Sequence, residues 1–249
     1  MDLALAAFSF VPGLALGSFL NVVASRVPLR RSIVKPASAC VSCGTPIAWY
    51  DNVPVLSYLL LRGRCRSCGN RIGWLYPAVE LTVAVLVAAC VLQWGVSLRT
   101  AAAIVFCATL VTVSATDIER RIIPNRIVLP AAVLVLALTT IDRPSPEWAI
   151  GAVGAAGFLL IAALAYPGGM GMGDVKLALL LGAALGRSVT VALMVGMLAA
   201  LVPSFFLIAR HGRAARKMKI PFGPFLALGG VVGLFAGHQL IHWYLGLTS

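Results

Sequence analysis

From Leu3 to Leu245 the chain repeats one pattern, an apolar run closed by proline, glycine or a cluster of charge. A run of roughly 20 such residues crosses the hydrocarbon core of a bilayer as a helix. Eight runs read as helices: Leu3 to Ala24, Tyr76 to Trp94, Thr100 to Thr116, Ile127 to Ile141, Trp148 to Tyr166, Val175 to Leu185, Val189 to Ala209 and Phe222 to Leu245, of which the sixth is short. An ordinary soluble domain carries about 25% charged residues. Here 11% are charged and 60% apolar, which excludes a disordered chain and leaves lipid as the solvent for the surplus apolar surface. The expected fold is all-α, a polytopic membrane protein of about eight transmembrane helices.

The first run has no basic stretch before it and ends in Asn21, Ser25 and Arg26 without a small-residue cleavage site, so it is expected to stay as an anchor rather than leave as a signal peptide. A net charge of +12 could suggest nucleic-acid binding. That function needs a continuous basic face on a water-exposed module, whereas here Lys and Arg lie in short clusters between apolar runs. Assigning the connections alternately to two sides puts Arg26 to Gly73, Asp117 to Arg126, Gly168 to Lys176 and Arg210 to Lys219 together, with 17 of the 20 basic residues. Arg99, Arg143 and Arg187 remain on the other side. The positive-inside bias makes the first side cytoplasmic and places both termini outside. The lipid bilayer is therefore the expected surrounding, and nucleic acid is not an expected partner. Gly13 and Gly17, Gly182 and Gly186, and Gly233 and Gly237 have the four-residue spacing that lets helices approach closely.

The one long polar connection, the 48 residues from Arg26 to Gly73, holds Cys40-Val-Ser-Cys43 and, after 21 intervening residues, Cys65-Arg-Ser-Cys68. Each pair brings two thiolates to one metal, Gly44 and Gly69 ease the turns that follow, and four sulfurs satisfy tetrahedral zinc. So small a segment buries little core of its own, and a structural zinc would supply the missing stability. Disulfides or reactive thiols are the alternatives, and a cytosolic side disfavours stable disulfides. Cys90 and Cys107 fall inside apolar helices and read as packing residues.

Acidic residues beside or within a membrane are functional suspects. Asp117 closes the third run in Asp117-Ile-Glu-Arg-Arg-Ile-Ile-Pro124-Asn125, and Asp174 opens the sixth in Gly171-Met-Gly173-Asp174-Val-Lys176. Two intervening spans return the chain to the same face, so both carboxylates belong at one membrane edge. Paired aspartates can divide the work of peptide hydrolysis, one taking a proton from water while the other, protonated, polarises the carbonyl. Gly171 and Gly173 remove side chains beside Asp174 and leave room for an extended substrate strand. The bland alternatives are an interfacial Asp117 paired with Arg120 or Arg121, and an Asp174 held by the helix dipole or paired with Lys176.

In order and spacing the chain closely resembles the type IV prepilin peptidases, bacterial polytopic membrane enzymes of the Gly-x-Gly-Asp aspartic protease class. The resemblance rests on Gly17-Ser-Phe-Leu-Asn21 with Arg26 and Pro28, the paired knuckles, Asp51-Asn52-Val53-Pro54, Leu61-Arg-Gly-Arg-Cys65, Tyr76-Pro77 with Glu80, Asp117 to Asn125, Gly171 to Asp174, and Pro221-Phe-Gly-Pro224-Phe. It implies that Asp117 and Asp174 are a catalytic dyad, with Gly171, Gly173, Lys176, Pro124 and Asn125 shaping the site. It implies as substrates the leaders of type IV prepilins and pseudopilins, cut after glycine at the cytoplasmic face. Family members with the cysteine loop are often also N-methyltransferases using S-adenosylmethionine, for which Asp51, Asn52 and Glu80 are the candidate region here. The bland reading of that region is a turn at Asp51 to Pro54 and a Glu80 paired with an arginine such as Arg71.

The family's frequent Glu-Leu-x-x-Gly is Glu80-Leu-Thr-Val-Ala84 in this chain, and the added methyl bears on the methyltransferase reading. Val41 replaces a proline common in the first knuckle without touching a ligand. His238 and His242, at helical i, i+4 spacing near Trp243 and Tyr244, suit either a metal or an interfacial aromatic belt. The run Arg210 to Lys219 is sufficient as a topology determinant. The expected division is an N-terminal region, 1–94, and a membrane peptidase domain, 95–249. A peptidase without methyltransferase activity, a presenilin-like protease, and a transporter relaying ions through Asp117, Asp174 and Lys176 are the rival readings.

Overall fold

In the computed structural model, which describes residues 2–166, 170–212, 220–244 and 246, every long apolar run is a helix. In chain order these are α1 (Asp2–Arg26), a short α2 (Leu56–Leu60), α3 (Leu75–Trp94), α4 (Leu98–Arg120), α5 (Asn125–Asp142), α6 (Glu147–Ala165), α7 (Met172–Leu185), α8 (Val189–His211) and α9 (Gly223–Tyr244). Among the described residues, seven stretches are long and apolar enough to cross a membrane. The longest, Met172–Arg210, is itself two helices, α7 and most of α8, separated by a single 3₁₀ turn at Gly186–Ser188. The expected short sixth helix is thus present, at 14 residues. The protein is an all-helical, multi-pass membrane protein.

The chain forms two compact units, Met1–Thr100 and Ala101–Ser249. In the first, α1 packs along α3. Gly13 and Gly17 make this possible, because a Cβ at Gly17 would stand 2.6 Å from the Glu80 Cα and one at Gly13 would stand 2.8 Å from the Ala84 Cα. Ala84 is fully buried in that seam, with the space for its methyl provided by the glycine opposite. The long connection between these helices consists of turns, with α2 and the 3₁₀ turn Trp49–Asn52 its only helical pieces besides the turn Val27–Leu29 that ends α1.

In the second unit α7 is the central helix, with nine of its 14 residues buried, among them Leu177, Leu180 and Leu181. It packs on α5 and α6, and α8 pairs with α9. A side chain at Gly182 would collide with the Gly151 carbonyl, so these glycines set the α6–α7 distance. Phe205, Phe206 and Val202 on α8 stay largely exposed, as lipid-facing positions do.

Two helix ends differ from the sequence expectation. The third expected run ends at Thr116, but α4 continues to Arg120, because Glu119 and Arg120 are good helix formers and the chain turns only at Arg121, in the left-handed region at φ 55°. Asp117 therefore lies within the helix. The sixth run was expected from Val175, yet α7 begins at Met172 with Gly171 as its N-cap, so Asp174 occupies the first turn. Leu245 and most of the basic run 210–219 lie outside the described residues, as do residues 168 and 169.

Candidate active site and metal centre

Asp117, from the last turns of α4, and Asp174, from the first turn of α7, are both buried and lie within electrostatic reach of each other. Each is fixed through its Oδ2 by a backbone amide. Gly223, the first residue of α9, donates its N–H to Asp117 at 2.9 Å, and Gly171 donates to Asp174 at 3.2 Å. No buried side-chain oxygen lacks a partner among the described residues, and neither Oδ1 has a hydrogen bond there, so each carboxylate keeps that oxygen open to a reactant.

Neither Asp117 nor Asp174 is in an ion pair among the described residues, although the Arg121 charge acts on Asp117 from further off. Among the described residues the ion pairs are Arg66 with Asp51, Arg143 with Asp142 and Arg187 with Glu147. Lys176 donates instead to Asn125 Oδ1 at 2.9 Å. That bond joins the α7 segment to the start of α5, beside the buried Pro124. A Cβ at Gly173 would stand 2.8 Å from the Ile123 Cβ, so the space left by this glycine is filled by Ile123. This corrects half of the expectation for the two glycines. Gly171 is exposed, and a Cβ there would meet the Asp174 Oδ2 at an ordinary 3.4 Å and the Gly173 nitrogen at 3.9 Å.

Gly223 was legible only as part of the Pro221 to Phe225 motif. Its role follows from space, because a Cβ there would approach Asp117 Oδ2 to 2.9 Å. The sequence carries no signal that this amide, 106 residues away, meets Asp117.

The four cysteines converge in the first unit. The two knuckles have one backbone design: the Cys40 amide donates to Thr45 and the Gly44 amide to Cys40, while the Cys65 amide donates to Asn70 and the Gly69 amide to Cys65. Gly44 and Gly69 both adopt φ near 70°, 71° and 69°, which glycine tolerates best. Asn70 reaches across to the Ser42 hydroxyl and ties one knuckle to the other. All four sulfurs lie within 4.8 Å of one another, and the Cys40 and Cys68 sulfurs are 3.8 Å apart. Zinc–sulfur bonds of about 2.3 Å in a tetrahedron put sulfurs roughly 3.8 Å apart, so the cluster fits zinc. The Thr45 hydroxyl, helped by the Thr45 backbone, brings the Cys43 thiol down to about 6. At Cys68 the Asn70 backbone pulls the same way, but burial and the three neighbouring thiols prevail and push it up to about 11. The four sulfurs could therefore hold one metal ion.

The candidate methyl-transfer residues have other partners. Asp51 receives two hydrogen bonds from the Arg66 guanidinium, at 2.7 and 2.6 Å, and this holds its carboxyl below the usual carboxylate range. Glu80, buried in α3, accepts the Val55 amide at 2.8 Å; Val55 itself is strained at φ 60°. The expected alternative partner, Arg71, is replaced by this backbone donor. Asp51 and Glu80 thus both have partners within the protein, while Asn52 is exposed. The His238 and His242 Nε2 atoms lie 3.2 Å apart, and no third metal-ligating side chain joins them among the described residues.

Fold and sites together define a multi-pass membrane protein with paired buried aspartates and a four-thiol loop able to hold zinc. Residues 11–94 match the bacterial peptidase A24 N-terminal domain and residues 104–209 the type IV leader peptidase family. The chain is 37% identical to a prepilin leader peptidase/N-methyltransferase of Bacillus subtilis (strain 168), over 96% of this chain and 97% of that one. Proteins of the same description from Burkholderia pseudomallei (strain 1026b) and Pseudomonas putida are 36% and 34% identical, over 93% and 92% of this chain and 85% and 90% of theirs. No solved structure matches the chain. The chain belongs to the type IV leader peptidase family.

Proposed function

We propose that this protein is an aspartic endopeptidase that removes the leaders of type IV prepilins and pseudopilins after a glycine, at the cytoplasmic face, with Asp117 and Asp174 as its catalytic residues. The observation that carries this reading is the pair of carboxylates from separate helices, each anchored through Oδ2 and open at Oδ1. One carboxylate takes a proton from water as the hydroxyl adds to the scissile carbonyl. The other, protonated, donates a hydrogen bond to that carbonyl oxygen, and a proton then passes to the leaving nitrogen as the C–N bond breaks. The cytoplasmic assignment rests on the concentration of Lys and Arg in the connections on the Asp117 and Asp174 side. Asp117→Asn and Asp174→Asn should each abolish cleavage of a prepilin in detergent or vesicles, while Glu119→Gln, two residues away and exposed, retains most of it. Near-normal cleavage by either folded Asn variant would sink the assignment.

We also infer methylation of the new amino terminus, on the strength of the relatives' names and the fit of the added Ala84 methyl within the α1–α3 seam. No step is assigned to Asp51 or Glu80. Mass spectrometry of pilin matured with S-adenosylmethionine should show an added methyl group, and cleavage without methylation would make the enzyme a peptidase alone.

A further inference from the structure

The thiol-bearing connection of the first unit contains a helix turned inside out. In α2 the serine faces inward: Ser57 is buried, and its hydroxyl donates to the Tyr50 carbonyl at 3.0 Å and accepts the Val53 amide at 3.1 Å. Leu56, Leu59 and Leu60, three and four residues apart and so on one face, are 57%, 64% and 83% exposed. Single exposed leucines need no explanation, but three on one face of a short helix in a polar connection do.

The height of this helix identifies what covers them. The amide of Val55, the residue before α2, donates to Glu80 at 2.8 Å. Glu80 lies about 7.5 Å along the axis from Leu75, where α3 and its membrane-spanning stretch begin. Side chains on a helix lean toward its start, so Val55 stands beside the first turns of α3 and not beyond them. This holds α2 at the edge of the bilayer, where Trp74, exposed at the head of α3, has the place of an interfacial aromatic.

The charge around α2 points the same way. From Arg26 to Gly73 the chain has eight basic residues and one acid, Asp51, which Arg66 occupies. Arg62 and Arg64 follow α2 within four residues, and Arg64 faces Arg71 across an antiparallel bridge. All three are exposed, and none is in an ion pair among the described residues. Like charges set opposite each other are destabilising, so this cluster calls for an anion from outside the chain.

We propose that α2 is an interfacial anchor for the thiol loop: Leu56, Leu59 and Leu60 dip into the apolar edge of the leaflet on the loop's side, and Arg62, Arg64 and Arg71 hold the phosphates of anionic lipid there. A soluble partner would meet this face at the level of the headgroups, whereas the bilayer is already present at that level and supplies both the apolar phase and the phosphates.

The test uses full-length protein in which the exposed Leu60 is replaced by a small fluorescent amino acid, in vesicles of equal parts phosphatidylcholine and phosphatidylglycerol. One lipid or the other carries a nitroxide high on its acyl chain. Lipid nitroxide should quench the fluorophore strongly and aqueous acrylamide weakly, with the phosphatidylglycerol probe several-fold more effective than the phosphatidylcholine probe. Arg62→Gln, Arg64→Gln and Arg71→Gln together should bring the two lipid probes close to equality. Leu56→Ser with Leu59→Ser should shift quenching several-fold from lipid toward acrylamide. Dominant quenching by acrylamide in the protein with these leucines and arginines intact, equal quenching by the two lipid probes there, or loss of lipid quenching on adding prepilin would each overturn the proposal, the last in favour of a substrate surface.

Discussion

The four-thiol centre of the first unit and the carboxylate pair of the second are built on opposite plans. The thiols belong to two copies of one short turn, each closed by its own backbone hydrogen bonds and a glycine in the left-handed region. The carboxylates come from α4 and α7, and the amide that holds Asp117 comes from α9. The first design needs little around it except a metal, since its local turns cannot bury much apolar surface. The second is held by a packed bundle of helices. Stability and chemistry thus depend on different agents in the two units, and they are separable by mutation.

The sharpest separation is at the carboxylates. Asp117→Asn and Asp174→Asn should each eliminate prepilin cleavage, and the double variant should be hardly worse than either, because the two act as one unit. Zinc content should stay at about one per chain in all three, since the thiol cluster owes nothing to these residues. Strong additivity between the two substitutions would break the shared-proton reading.

Gly223→Ala should follow in size. The added methyl must displace the Asp117 carboxylate or the start of α9, and a displacement on the scale of 1 Å can cost on the order of a hundredfold in rate. Thermal unfolding should change far less than kcat, which distinguishes a displaced carboxylate from a broken fold.

Replacing Cys40, Cys43, Cys65 or Cys68 by Ser should remove the zinc, as metal analysis will read directly, and leave part of the cleavage activity. Full loss of cleavage in every such variant would show that the two plans are coupled after all. The smallest effect is expected at the tie between loop and helix. Glu80→Ala leaves the Val55 amide without its acceptor and should lower the stability of the first unit by about 1–3 kcal/mol, while Glu80→Gln restores most of it.

What the sequence disclosed follows the same division. The cysteine centre was legible because its determinants are adjacent: the pair spacing and Gly44 and Gly69 dictate the turns whatever surrounds them. The helices were legible because apolar run length answers to bilayer thickness, a constraint set outside the protein. Alternation of the spans placed Asp117 and Asp174 at one edge, but the oxygens they offer depend on the approach of α9, which no local pattern encodes. Gly173 teaches the same lesson. A glycine before an aspartate reads as open space, and only the fold reveals that Ile123 fills it. Glu80 was legible as an unusual acid in a helix, yet its partner is a backbone amide made available by the unusual conformation of Val55.

The bond from Gly223 to Asp117 also sets a timetable for biogenesis. Translation delivers α4 and α7 to the membrane well before α9, so a nascent chain holds both aspartates without the amide that steadies the first of them. The Asp117 carboxylate is therefore fully held only once α9 is in place. A chain truncated by premature termination before Gly223 inserts most of its helices and should still be idle, which spares the cell a half-made protease in its own membrane.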